Sequence, residues 1–525
     1  MIFERTEVPS SPSSMKQRFT FLLPEGSFID IKNINVADGI FNFTNPPGYA
    51  GVERRTTLSL SELPKTLRSH LKYIHELHLR WIRTTEYPHL VPLVSRQPPG
   101  LHVFFTPRVG SNGDEICSSL RWLLNDDVKC ETTAESFNRP AILSDRFATS
   151  ATYQFFQQQP SLDGLVEHLT KFCGDLPNDH LISCQTHIKT ISTATEVNLD
   201  FDAISHALVI TAIWPQEARG SKTSIAGLSE EASVHAHGRL DANEHDGTIE
   251  IGVLSAEQAD EREELKLGGY LVVLGEDKKP SATLFSFPSR HHPLPAHDKT
   301  VYKAAFIQPT GLHPKLSVTF LSQRPKPPHE TCALHAYLTL PSALFLDRYQ
   351  LSEPELLASH NLRALRALSG AEDLEAPDWA IKQWGSASLF ELVRPDTTRD
   401  TWEALIPLHL RYLQTHSNLS SRQLETSWPI VFWACEAEEG LKMNTNPFDR
   451  VNLGYDGLFG PKTMFYHIPP AQSDLTSTLI VPTLHPETAS WLAPSTLAVV
   501  LAGLLWVLWS LARPLKRNIR VVKTD

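Results

Sequence analysis

The longest uninterrupted apolar stretch closes the chain: Trp491 to Ala512 reads WLAPSTLAVVLAGLLWVLWSLA without one charged residue. As a helix it covers roughly 33 Å, close to the hydrocarbon thickness of about 30 Å, and tryptophans sit at or near both ends, where interfacial aromatics belong. The spacing therefore predicts a transmembrane helix over 491–512. Elsewhere the patterns are shorter. Arg18–Leu23 and Leu101–Thr106 are strand-like, Ser59–Ile82 carries helical spacing after a Ser59-Leu60-Ser61-Glu62 start, and Ser161–Cys173 is a further helix candidate. Asp200–Trp214 again reads as strand. Glu217–Glu250 has almost no large apolar residue and predicts a linker or surface loop. The charge run Gln258–Glu264 continues it, and Pro280–His297 reads as a second connector broken by Leu284–Phe287.

From Lys303 onward the pattern turns all-β, with runs at Tyr302–Ile307, Leu316–Leu321, Thr331–Leu340, Ala404–Tyr412, Ile430–Cys435 and Met464–Ile468 separated by turn residues, as in a sandwich. Ala404, Ile406, Leu408, Leu410 and Tyr412 share one face, and Pro407 marks an edge strand. Pro354–Leu368 reads as a helical insertion. The predicted fold is mainly β, a β-sandwich-like luminal domain over 301–480, preceded by an α+β/β region over 15–214 and a linker-rich segment over 215–300. The span over 491–512 and a basic tail over 513–525 follow.

Composition fits that plan. The 525 residues allow more than one domain, and 41% apolar with 20% charged residues excludes wholesale disorder and a polytopic membrane protein. A net charge of −11 argues against nucleic acid as a partner. Charge distribution sets orientation. Arg513, Lys516, Arg517, Arg520 and Lys523 follow the span, whereas Thr463–Trp491 holds no Lys or Arg and carries Asp474 and Glu487. The positive-inside rule then puts the tail in the cytosol and the body in the lumen. No signal-peptide pattern is visible in Met1–Phe28, which by itself would suit a tail-anchored protein with a cytosolic body. Asn42-Phe43-Thr44 and Asn418-Leu419-Ser420 are sequons and candidate glycosylation sites. The six scattered cysteines read as buried thiols or, in a luminal body, as disulfides, with Cys117–Cys130 and Cys173–Cys184 the pairs near in sequence.

Candidate chemistry is sparse. Asp200-Phe201-Asp202 could share a divalent ion with a sugar nucleotide, but the motif is common and precedes a buried-looking strand. His235, His237, His245, His291, His292 and His297 fall in the connectors and read as solvated loops. The sequence carries no G-x-S-x-G elbow, P-loop or G-x-G-x-x-G, so no catalytic residue, metal site or cofactor is predicted.

The densest unusual run is Trp428–Ile468, with WPIVFWACEAEEG and NTNPFDRVNLGYDGLFGPKTMFYHI. With HLRYL at His409–Leu413, LPSALFLDRYQL at Leu340–Leu351, MKQRFTF at Met15 and the terminal span, it resembles the PIG-X family, whose fungal branch is called the protease-B-nonderepressible protein. The resemblance implies a glycosylated single-pass protein of the endoplasmic reticulum membrane, not an enzyme. Such a protein stabilises the polytopic catalytic subunit of glycosylphosphatidylinositol (GPI) mannosyltransferase I, which adds the first mannose to the anchor precursor. The family is also associated with protein folding and protease-precursor processing in that compartment, so a luminal chaperone or maturation factor is the alternative. The Met15 match makes residues 1–14 a candidate gene-model extension. Physically, Trp428–His467 reads as two strands joined by a rigid loop, with local turns at Asn446 and Asp456. Phe448, Tyr455 and Phe459 are either a plug beneath that loop or anchors for the partner, and Trp506 and Trp509, with Trp491, Ala502 and Gly503, could pack on its helices.

Overall fold

The computed structural model of the chain describes residues 15–43, 50–63, 65–85, 90–111, 113–124, 128–141, 153–159, 161–173, 185, 188–215, 239–241, 247–321, 325–393, 402–414, 421–438, 443, 446–483 and 486–521. The candidate extension 1–14, the sequon Asn418, the histidines at 235, 237 and 245, and Cys184 with the side chain of Cys173 lie outside them.

Ten strands build one large sheet: β1 (Lys16–Leu23), β2 (Gly51–Ser59), β3 (Ile74–Ile82), β4 (Gly100–Pro107), β5 (Tyr153–Gln157), β6 (Glu196–Asp202), β7 (Ala207–Pro215), β8 (Thr248–Glu257), β9 (Glu264–Val273) and β10 (Ser281–Pro288). Their order in space is β10-β9-β8-β1-β2-β7-β6-β3-β4-β5, antiparallel except where β8 returns to lie parallel to β1. Alternation sorts the side chains. Phe19, Phe21, Leu79, Trp81, Val103 and Phe105 fill the back face. Helices Lys65–Leu71, Glu115–Leu124 and Asp163–Cys173, and a small sheet of 34–37, 40–43 and 239–241, cover it. The front face carries Glu53, Arg80, Asn198 and Asp200.

The second half supplies a six-stranded sheet: β11 (His291–Pro293), β12 (Ala333–Pro341), β13 (Leu362–Gly370), β14 (Gly385–Leu392), β15 (Ile430–Glu436) and β16 (Thr463–His467), ordered β11-β16-β15-β12-β14-β13. One face packs on a second layer made of the sheet Val301–Phe306, Lys315–Leu321, Trp402–Pro407 and the strand pair Ser421–Ser427 with Thr476–Pro482. Val318, Leu338, Phe390, Ile406, Val431 and Leu479 meet in their common core. Cys332–Cys435 links the head of β12 to β15, and Cys117–Cys130 closes a loop beside the large sheet. The four cysteines so described are disulfides and not the thiols of the blander reading.

The mainly β class with a C-terminal apolar helix is therefore what the chain adopts, and Pro407 does lie on a sheet-edge strand. Several local expectations need correction. Ser59–Ile82 is helical only at Lys65–Leu71. The Ser59 N–H and Oγ do bond Glu62 Oε2 at 2.9 and 3.0 Å, but they close a turn after β2, and Leu77, Leu79 and Trp81 alternate with Glu76, His78 and Arg80 along β3. The described part of 215–300 is no linker, because Ile249, Ile251, Val253, Leu267 and Val272 are buried in the strands that complete the large sheet. His291 and His292 belong to buried β11 and are not solvated. The helix at Pro354 stops at Ser359, where Asn361 takes a φ of 58°, and LRALRALSG runs on as edge strand β13 with two register shifts against β14. Tyr412, placed on one face with Ala404 and Ile406, does not continue that face: the strand ends at Pro407, a short piece follows at His409–Leu410, and Tyr412 beyond it is exposed.

Candidate partner-binding site

The loop between β15 and β16 wedges between the two large sheets. Asn446 and Asp456 shape it as local turns: the Phe448 N–H donates to Asn446 Oδ1 at 2.9 Å, and the Asn452 and Leu453 N–H groups donate to Asp456 at 2.9 and 2.8 Å. Asn452 and Gly454 have φ of 57° and 91°, and a Cβ on Gly454 would lie 2.2 Å from the Tyr337 hydroxyl, so only glycine fits there. Tyr455 is 0% exposed; its ring packs on Phe432, and its hydroxyl donates to the Arg96 carbonyl at 2.8 Å. Phe448 is buried among Leu22, Leu90, Leu93, Ile213 and Leu254, and Phe459, partly buried, meets His335, Phe432 and Phe465 edge-on. The three aromatics thus occupy the plug position, and surface contact through Phe448 and Tyr455 is closed to a partner because both are packed inside.

Charge pins the wedge. The Arg450 guanidinium, its side chain only 11% exposed, lies 3.1 Å from Glu53 on β2 and 3.8 Å from Glu196 on β6. Next to it, His78 stands between Asp200 at 2.6 Å and Glu76 at 2.7 Å, and Arg80 approaches Asp200 at 3.6 Å. Burial opposes the Asp200 charge, but the His78 hydrogen bond and the Arg80 charge outweigh it and hold the carboxyl at about 2. Burial likewise opposes the His78 charge, and its two carboxylate partners raise it nonetheless. Asp202 accepts from the Ile204 and Ser205 N–H groups and caps the β6–β7 turn. Both acids of the D-x-D motif are thus engaged in structural bonds. Asp449 is the opposite case: burial pushes it up to about 7, although it accepts from the Arg290 N–H at 2.9 Å and from Ser289. Beside Phe448 a cavity of about 400 Å³ opens over β8–β10, floored by Leu254, Leu271, Phe285 and Phe287, with the Arg18–Glu250 pair at its rim.

The terminal helix runs Pro486–Val521, and within it 490–513 is long and apolar enough to cross a membrane, with none of it buried against the body. Trp506 and Trp509 are 66% and 49% exposed, their rings 5.5 Å apart, and the Arg513 guanidinium covers the Trp509 ring at 4.0 Å. Asn42 is half-buried in the strand 40–43, paired with Asn35 and Arg239. The structure therefore brings Phe448, Tyr455 and Phe459 together, and leaves Trp506 and Trp509 apart from them, exposed on the terminal helix. Arg450, Glu53, Glu196, Arg80 and Tyr337 carry no motif; the one local signal is charge inside an otherwise apolar strand, as Arg80 in IHELHLRWI.

Residues 309–512 match the family model described as PIG-X / PBN1. The chain is 44% identical over 489 residues to "Protein pbn1" of Emericella nidulans, covering 88% of this chain and 89% of that one. It is 37% identical over 513 residues to "Protein pbn1" of Neurospora crassa, covering 96% of each. With "Protein PBN1" of Saccharomyces cerevisiae it shares 30% over 273 residues, half of this chain and 58% of that one.

Proposed function

The chain belongs to the PIG-X/PBN1 family, and from that premise we propose that it is a non-catalytic stabilising subunit of GPI mannosyltransferase I. It acts in the endoplasmic reticulum membrane, where the first mannose is added to the anchor precursor. The observation that carries the reading is an apolar helix wholly exposed along 490–513, joined to a β-rich body and followed by a cationic end. The positive-inside rule then assigns the body to the lumen. The Cys117–Cys130 and Cys332–Cys435 bridges support that side, because disulfides persist in oxidising compartments. Asn42 and Asn418 are the proposed glycan acceptors.

In this reading Trp506 and Trp509 pack against helices of the polytopic catalytic subunit, while Phe448, Tyr455 and Phe459 keep the body rigid. A non-catalytic role is supported by the D-x-D carboxylates, which are committed to His78, Arg80 and the β6–β7 turn. Purification from native membranes tests the proposal. Recovery of one mannosyltransferase in stoichiometric amount, reduced by Trp506→Ala with Trp509→Ala, is expected; a mixed set of clients would favour a luminal chaperone or protease-maturation factor instead.

A further inference from the structure

We propose that the body rests directly on the surface of a zwitterionic bilayer through an aromatic patch, Trp379 and Tyr412, at the root of the terminal helix. This rests on the reading of 490–513 as a membrane span. Among the described residues, Trp379 is the body's one exposed tryptophan, at 59%, and Tyr412 is 66% exposed. Leu374 of the same loop is exposed as well.

Bonded contacts place this patch beside the membrane. The strand Thr476–Pro482 leads into the helix that begins at Pro486, and its last residues pair with Ser421 and Arg422. Arg422 lies 3.8 Å from the carboxylate of Asp378. Asp378 opens the 3-10 turn Asp378–Ala380, and its N–H donates to the Tyr412 carbonyl at 3.0 Å. Paired strands lie about 5 Å apart, and the helical rise from Pro486 to Trp491 adds about 8 Å. The turn is thus linked through Arg422 to the strand that leads into the span, and in the proposed arrangement it sits in the headgroup layer with the first tryptophan of the span.

The patch is rigid. Ser342 Oγ donates to Asp378 at 2.7 Å, and Arg411 donates to the Ser342 and Ala376 carbonyls at 3.1 and 2.8 Å while its guanidinium covers the Phe345 ring. Those bonds fix the backbone on which both aromatics stand. Trp and Tyr combine an apolar ring with a polar N–H or O–H tip, the composition that the headgroup layer selects. Asp373 and Glu375 in the same loop, beside a Glu372 that is paired with Arg348, would repel anionic lipid, which selects a zwitterionic surface. Together with the helix, this second contact fixes the tilt of the body over the membrane.

The test uses the full chain in phosphatidylcholine nanodiscs doped with a lipid carrying a photoreactive group near its headgroup, with adducts mapped by mass spectrometry. Adducts are expected on the terminal helix and on Trp379 and Tyr412, weakening at the patch alone when anionic lipid is added. In Trp379→Ser with Tyr412→Ser the patch adducts should disappear while those on the helix remain. Adducts confined to the helix would overturn the patch and leave the span standing, and their absence from the helix would overturn both. A photoreactive residue at 379 that joins a protein instead of lipid in native membranes would also overturn the proposal.

Discussion

Arg450→Met is the sharpest perturbation of the wedge. Methionine keeps most of the side-chain volume but strands Glu53 and Glu196, both buried, without the cation that lies 3.1 and 3.8 Å away. Removing one partner of a buried pair typically costs about 3–5 kcal/mol, because the remaining charge is left desolvated. The exposed pair Arg18–Glu250 provides the control, since Arg18→Met should cost about 0–1 kcal/mol. Guanidinium-induced unfolding of the detergent-solubilised chain, followed by tryptophan fluorescence, reports both. Adding Glu53→Gln to Arg450→Met neutralises one stranded acid and should restore part of the loss, so the double-mutant cycle isolates the coupling. If Arg450→Met is no more destabilising than Arg18→Met, the ion pairs do not hold the wedge and the reasoning fails.

Acidification should act through buried histidines held low, and in the opposite sense through Asp449 and His78, both raised. Burial holds His102, His292 and His335 at about 4. Protons therefore favour the unfolded chain as pH falls from 6.5 to 4, each histidine withdrawing up to about 3 kcal/mol. Asp449, at about 7, takes its proton in the folded state first and restores stability as pH falls from 7 towards 3.8. Asp449→Asn should thus steepen the loss between pH 7 and 5 in unfolding titrations, and an unchanged slope would contradict its burial. Gly454→Ala, with its Cβ 2.2 Å from the Tyr337 hydroxyl at positive φ, should cost about 2 kcal/mol or more, whereas Gly460→Ala meets open space and should be nearly neutral in the same assay. Replacing Cys332 and Cys435 by serine removes a bridge across 103 residues and should lower stability by about 2–5 kcal/mol in the same unfolding assay without reductant.

The span and most strands of the second half were legible because each announces itself within its own residues: 491–512 has no charge, and Ile430–Cys435 is continuously apolar. LRALRALSG misled, since its leucines recur at helical spacing, yet backbone pairing with β14 makes it a strand. Ile74–Ile82 misled in the same way, its alternation masked by the helical start before it. The wedge was found by its unusual composition, with Asn446 and Asp456 as turn formers, but its interior bonds could not be read. Tyr455 is decided by a carbonyl 359 residues away and Arg450 by a carboxylate 397 residues away, separations that no local pattern encodes. Trp379 and Tyr412 are invisible for the same reason, because their exposure follows from how distant loops pack.

Protease protection in sealed microsomes tests the central claim most directly. A luminal body should stay intact when trypsin is added outside, losing only the short basic end, and should be digested once detergent opens the vesicles. Digestion of the body in intact vesicles would place it in the cytosol and remove the physical basis for a role in luminal mannose transfer.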